Sequence, residues 1–239
     1  MTTTGTIIKL SGRIDLPDAF YDEPDIVEDA MAQRLPLDLI RHQLRESFAD
    51  RPDVYVSGET FVFYDRNDPY RRISPDCFIT LGVDAERVLE KFPNYLAWEV
   101  GKFPDFVLEM ASESTARNDL GAKRDLYARL GMAEYWLLDP TGGDLYGRPI
   151  VGLRLVDCEY HEYPVREEDD GSVTAHSEIL DLDFRWSDGT FVILDPDTGL
   201  PKDRRAAAER SAGEERARRM AAESRVAELE AELRRLRGQ

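Results

Sequence analysis

The sequence predicts an α/β domain followed by a helical C-terminal extension, and three observations carry that prediction. Residues 105–139 read as strand, crossover helix and strand, and residues 151–163 alternate with the period of a further strand or strand pair. From residue 202 onward the chain is rich in Ala, Glu and Arg, with strong helix propensity throughout. A length of 239 residues with 42% hydrophobic content suits one good-sized domain with an appendage.

The expected division is an N-terminal arm over residues 1–35, a domain over 36–200 and a charged tail over 201–239. The arm is Thr-rich and then acidic, interrupted by Pro17 and Pro24, with few periodic apolar positions. Residues 36–48 fit a helix with Leu37, Ile40, Leu44 and Phe48 on one stripe. His42 and Glu46 fall on its solvated face, unless Glu46 turns inward as an extra carboxylate. Residues 54–57 and 60–64 look like two short strands around Gly58, or one strand continued through a bulge. The polar loop DRNDPYRR (65–72) leads to Ser74-Pro75-Asp76 and the apolar run 77–81. That sets Asp76 at the mouth of a strand, where an Asx-type turn is its ordinary role. The charged segment 84–91 suits a short helix.

Residues 105–111 are apolar enough for a strand packed on both faces, yet Glu109 interrupts them near the end. A buried carboxylate needs a partner. Residues 112–118 read as a turn, with Ser112 and Thr115 shaping it, and Asn118 or Asp119 as the cap of a helix. Leu120, Leu126, Tyr127 and Leu130 recur at helical spacing until Gly131 stops it. Residues 134–139 form a second strand closed by Pro140, so the two strands run parallel or share a sheet. Lys123, in the first turns of the helix, comes within reach of Glu109. Tyr127 shares its face and suits core packing, as Glu134, Tyr135 and Trp136 suit the second strand. Beyond an acidic turn at 167–171, residues 179–184 and 190–194 supply a short element and a strand, and 195–199 end the domain. In the tail, Val226, Leu229, Leu233 and Leu236 follow an a/d pattern, so self-association to a homo-oligomer such as a dimer is expected, a solvated helix being the alternative.

No apolar run approaches the roughly 20 residues of a membrane span, and residues 1–7 lack the basic start of a secretory signal. A cytoplasmic protein without membrane association is expected. Cys77 and Cys158 read as two free thiols, and no paired Cys/His spacing offers a metal site. The net charge of −17 argues against broad nonspecific nucleic-acid binding, which rests on neutralising phosphates. Residues 202–239 hold 11 Lys/Arg against 8 Asp/Glu, leaving 20 against 40 over residues 1–201. So acidic a body needs a cation, a local basic patch or a partner before it approaches a polyanion.

Asp76 and Glu109 on separate strands, with Lys123 nearby, form a set suited to a hard divalent cation, which takes one or two carboxylates from protein. Such a cation polarises a phosphoryl oxygen, and a lysine orients water or stabilises developing negative charge. Asp105 is a poor alternative to Asp76: it stands four residues from Glu109 on one strand, about 13 Å away.

The order of residues is more specific than their types. Pro75-Asp76, then Glu109 on a strand, then SESTARNDLGAKRDLYARLGMAEYWLLDP (112–140) resembles the Uma-type restriction-endonuclease family, bacterial proteins of the PD-(D/E)XK nuclease superfamily. The likeness spans roughly residues 36–196. It implies a restriction-endonuclease-like mixed β-sheet flanked by helices, Mg²⁺ (or Mn²⁺) held by Asp76 and Glu109, and DNA as substrate of a phosphodiester hydrolase. One departure matters. The superfamily's lysine stands two residues after the acid, where this chain has Ala111; Lys123, on the following helix, matches the family's relocated lysine. The competing class is a noncatalytic nuclease-fold protein that binds DNA or protein and associates through its tail helix. A glycosidase also uses two carboxylates, but the chain lacks an aromatic-rich sugar platform.

Overall fold

The structure, a computed structural model, describes residues 7–10, 14–17, 27–58, 60–91, 94–201, 216 and 218–220. In chain order the elements begin with the antiparallel pair β1 (Ile7–Leu10) and β2 (Ile14–Pro17) and helix α1 (Val27–Ser47). Next come β3 (Val54–Ser57), β4 (Val62–Phe63), β5 (Arg72–Ile73) and β6 (Cys77–Leu81). These are followed by α2 (Ala85–Lys91), β7 (Tyr95–Leu96) and the single-turn α3 (Ala97–Val100). The central stretch is β8 (Phe106–Met110), α4 (Ala116–Asn118), a π-helical turn (Asp119–Lys123), α5 (Arg124–Leu130) and β9 (Glu134–Leu138). A hairpin follows, β10 (Ile150–Val156) and β11 (Glu159–Glu162), then a meander of β12 (Val165–Glu167), β13 (Val173–Ser177), β14 (Leu182–Ser187) and β15 (Thr190–Leu194).

The central sheet has six strands in the order β11-β10-β9-β8-β6-β3. Only β8 and β9 run parallel, as a helical crossover between neighbours requires; every other adjacent pair in it is antiparallel. The fold is therefore α/β with a mixed sheet. Residues 151–163 resolve into a hairpin rather than one long strand, because Asp157 and Cys158 take φ of 50° and 67° and reverse the chain.

Both β8 and β9 are buried at every residue, and the pleat sorts their side chains to two cores. Phe106, Leu108 and Met110 pack with Leu37, Ile40 and Leu44 of α1 and with Phe184, Phe191 and Ile193 of the second sheet, β12 to β15. Val107 and Ala111 face the opposite way, against Tyr127, Met132 and Tyr135. Glu109, between them in the alternation, shares that second face. The first core centres on Trp136, whose ring lies 4.5 Å from Phe184 and over Gly152, where a Cβ would stand 2.8 Å from the indole.

Glu134, fully buried at the start of β9, pairs with no cation among the described residues. Its carboxylate instead accepts hydrogen bonds from Trp136 Nε1 (2.8 Å), Tyr163 Oη (2.6 Å), Ser177 Oγ (2.6 Å) and the Ile179 N–H (3.1 Å). The structural role expected for Glu134 and Trp136 is thereby explicit: they join the central sheet to the second one.

Helix α1 begins at Val27 rather than Pro36, and Pro36 lies inside it. The ring already has a helical φ, and the interruption costs the backbone hydrogen bond that proline cannot donate. The crossover helix starts at Ala116 with α4, so Asn118 and Asp119 lie within it rather than capping it. Leu120 is exposed instead of joining the apolar stripe, and Val173–Ser177 adds a strand that the sequence pattern did not suggest. Residues 60–64 do not extend β3; β4 pairs with β5 and β7 in a separate three-stranded sheet. The tail helix and its a/d positions lie outside the described residues, apart from Arg216 and 218–220, which are helical. Cys77 is buried, Cys158 exposed, and both are free. Among the described residues no helix is long and apolar enough to cross a membrane.

Candidate active site

The register of β6 on β8 explains why Asp76 meets Glu109. Cys77 pairs with Leu108, so one step further Asp76 stands opposite Glu109, and directly opposed residues of antiparallel strands point to one face. The Asp76 N–H donates to Glu109 Oε2 at 3.4 Å, and Asp76 Oδ2 accepts from the Met110 N–H at 2.7 Å. Gly58 is needed beside them, since a Cβ there would collide with the Asp76 carbonyl and the Arg41 side chain.

Glu109 is 1% exposed and is held from the helix above it. Tyr127 donates its hydroxyl to Oε1 at 2.6 Å, and Lys123 Nζ lies 3.0 Å from Oε2. The helix thus brings a cation to the face of β8 on which Ala111, two residues past Glu109, offers only a buried methyl. Lys123 also lies 2.7 Å from Asp119 Oδ1, so its ammonium sits between two carboxylates. Asp119 is itself fully buried; its Oδ2 accepts from Tyr146 Oη at 2.8 Å, and its carbonyl accepts from Tyr135 Oη at 3.1 Å.

The electrostatics follow from this crowding. Burial raises the Glu109 carboxyl to about 8; Lys123 opposes that rise and Asp76 adds to it. Burial also raises Asp76, against the Met110 N–H and the Lys123 charge. For Lys123, burial pulls downward but the Glu109 and Asp119 carboxylates outweigh it, holding the ammonium above the ordinary lysine value. Tyr127 is held far above the usual phenol range by burial and then by the Glu109 charge.

The structure therefore brings together all three site residues expected from sequence: Asp76, Glu109 and Lys123. Asp105 lies at the far end of β8, accepting from the Leu81 N–H and pairing with Lys102 at 2.8 Å, as a residue at the start of a strand does. Ser112 and Thr115 bond to each other at 2.8 Å and shape the turn. Glu46 is half-buried, and among the described residues no hydrogen bond or ion pair joins it to the site.

Sequence reasoning missed two participants and understated a third. Asp119 reads, with Asn118, as a candidate cap, a position that its spacing of four from Lys123 makes equally suited to an ion pair. Arg41 is buried and its charge favours the Asp76 carboxylate; an arginine inside the Leu37, Ile40, Leu44 stripe was the signal there. Tyr127 both packs in the core and binds Glu109.

Among the described residues no group of three or more His, Cys, Asp or Glu is arranged to hold a metal ion. Asp76 and Glu109 could still serve a hard cation that takes few protein ligands. Asp76 is half-buried, and among the described residues its Oδ1 accepts no hydrogen bond, which leaves an oxygen for such an ion beside the Glu109 carboxyl group.

Two carboxyl groups opposed across a mixed sheet, with a lysine brought to them by the crossover helix, make up one cluster. The family model described as "Uma2: Putative restriction endonuclease" matches residues 29–188, and the chain belongs to that family. A solved structure titled as a putative nuclease belonging to DUF820, from Anabaena variabilis ATCC 29413, is similar at 13% identity with a TM-score of 0.46. The similarity covers 70% of this chain and 78% of that one. No curated protein matches.

Proposed function

We propose that this chain is a metal-dependent endonuclease that hydrolyses phosphodiester bonds of DNA, with Mg²⁺ or Mn²⁺ held by Asp76 and Glu109. The observation that carries the reading is the strand register that opposes Asp76 to Glu109, with Lys123 Nζ 3.0 Å from Glu109 Oε2. Family membership supports the same reaction class. When bound, the cation would supply Lewis-acid polarisation of a phosphoryl oxygen and acidify a water. The chain's residues do the rest. Glu109 is kept in one orientation by the Tyr127 hydroxyl, and Asp76 by the Met110 N–H. Lys123 offers its ammonium protons to charge developing on the attacked phosphate, in surroundings where such a bond is stronger than in water. The charge of −17 makes the cation a condition of DNA approach as well as of chemistry. Association into a dimer through residues 202–239 belongs to the same proposal.

Calorimetry with Mn²⁺ on the intact chain, beside Asp76→Ala and Glu109→Ala, tests the site, and cleavage of duplex DNA with Mg²⁺ tests the reaction. Binding and cleavage lost in both variants, with circular dichroism unchanged, is the expected result. Cleavage by a clean Asp76→Ala preparation at the wild-type rate would sink the assignment.

A further inference from the structure

The Lys123 ammonium reaches Glu109 along a flexible side chain from a helix, so neither strand pleat nor register fixes its place. Something else must hold it. The closest group is Asp119, at 2.7 Å against 3.0 Å for Glu109. An ordinary helical Asp–Lys pair at this spacing lies in solvent and contributes a few tenths of a kcal/mol. Asp119 is instead fully buried and is joined by a partner from a different part of the chain. That partner, Tyr146, donates to Asp119 Oδ2 at 2.8 Å, and its own backbone is tied down in turn. The buried Asp139 carboxylate accepts from the Thr141, Leu145 and Tyr146 N–H groups, closing residues 139–146 into one turn. A path of hydrogen bonds thus runs from the end of β9 through Asp139 and Tyr146 to Asp119, and the ion pair of Asp119 with Lys123 completes it. The π-helical turn Asp119–Lys123 carries both ends of the pair, and such turns within α-helices occur often at functional sites. Burying a further carboxylate is weak as a device for stability. It has a clear use in fixing an ammonium.

We propose that Asp119, fixed by Tyr146, is the positioning residue that holds Lys123 against Glu109. The inference rests on the endonuclease reading for its consequence in catalysis, and on geometry alone for the placement of the ammonium. The test uses the full chain with ¹⁵N-labelled lysine and no metal, comparing wild type with Asp119→Asn and Tyr146→Phe. The Lys123 ammonium signal should be visible in wild type, because the group is enclosed by two buried carboxyl groups at 2.7 and 3.0 Å. It should exchange at least tenfold faster or vanish in Asp119→Asn, and exchange severalfold faster in Tyr146→Phe. In cleavage of duplex DNA with Mg²⁺, Asp119→Asn should lower kcat by about 10–100-fold, the usual effect of losing a partner of a site group, with KM within about twofold. A Lys123 signal unchanged in Asp119→Asn overturns the proposal whatever the cleavage data show. Should that variant not fold, an unchanged signal in Tyr146→Phe overturns it equally. If the signal responds while wild type cuts no DNA, the endonuclease reading falls and the placement of Lys123 by Asp119 stands.

Discussion

Replacing Tyr127 by Phe removes one hydroxyl and little else, because the ring remains edge-on against Tyr135 at 5.0 Å. What is lost is the 2.6 Å donor to Glu109 Oε1. The cost depends on whether Glu109 carries a proton. Its folded carboxyl titrates at about 8 against an ordinary 4.5, so its proton stabilises the fold below the ordinary value. That contribution falls away as pH rises through about 8. At pH 6 the bond joins two neutral groups and is worth about 1 kcal/mol; at pH 9 it joins a hydroxyl to a carboxylate and is worth about 2–3 kcal/mol. The variant also loses a group that favours the carboxylate, so its Glu109 titrates higher still. The deficit in unfolding free energy should therefore grow by about 1–2 kcal/mol from pH 6 to pH 9. Urea denaturation of both proteins at the two pH values measures it, without metal and at equal m. An equal deficit at both would refute the reasoning, since it would mean that Glu109 does not change charge in that window.

The same carboxyl should make cation binding pH-dependent. Below about pH 8 a divalent ion must displace the Glu109 proton, so Mn²⁺ affinity should rise about tenfold per pH unit and flatten above pH 8, with proton release detectable by calorimetry in buffers of different ionisation enthalpy. A flat affinity between pH 6 and pH 8 would contradict that. In the core, Gly152→Ala places a methyl 2.8 Å from the Trp136 ring and should cost about 1–3 kcal/mol in urea, while leaving Mn²⁺ affinity unchanged.

Much of this arrangement was legible in the sequence, and the exceptions share a cause. The strand, helix and strand of residues 105–139 could be read because uninterrupted apolar runs and the Gly131 stop are local signals, and the parallel β8–β9 pair follows from the crossover. Asp76, Glu109 and Lys123 could be picked out by their order. Asp119 could not, because an aspartate ahead of a helical apolar pattern looks alike whether it caps backbone N–H groups or pairs with a lysine one turn on. Tyr146, its other partner, lies 27 residues along the chain. Strand β13, with sequence VTAHS, has too little apolar alternation to be read, and its burial comes from the sheet it packs against. The sequence pattern starts α1 at Pro36, since a proline normally marks a boundary, whereas this one lies within the helix.

Glu134 has a bearing on how the protein breathes. Its carboxylate takes donors from β9 itself, from Tyr163, from Ser177 of β13 and from the amide of Ile179. Any fluctuation that peels the second sheet from the first strips this buried carboxyl group of two of its four hydrogen bonds, those from Ser177 and Ile179, at one stroke. Small openings at that seam are therefore penalised as heavily as large ones. The two sheets should exchange their amide hydrogens as a single cooperative unit, with the Ile179 amide, although it lies outside any strand, among the slowest in the chain.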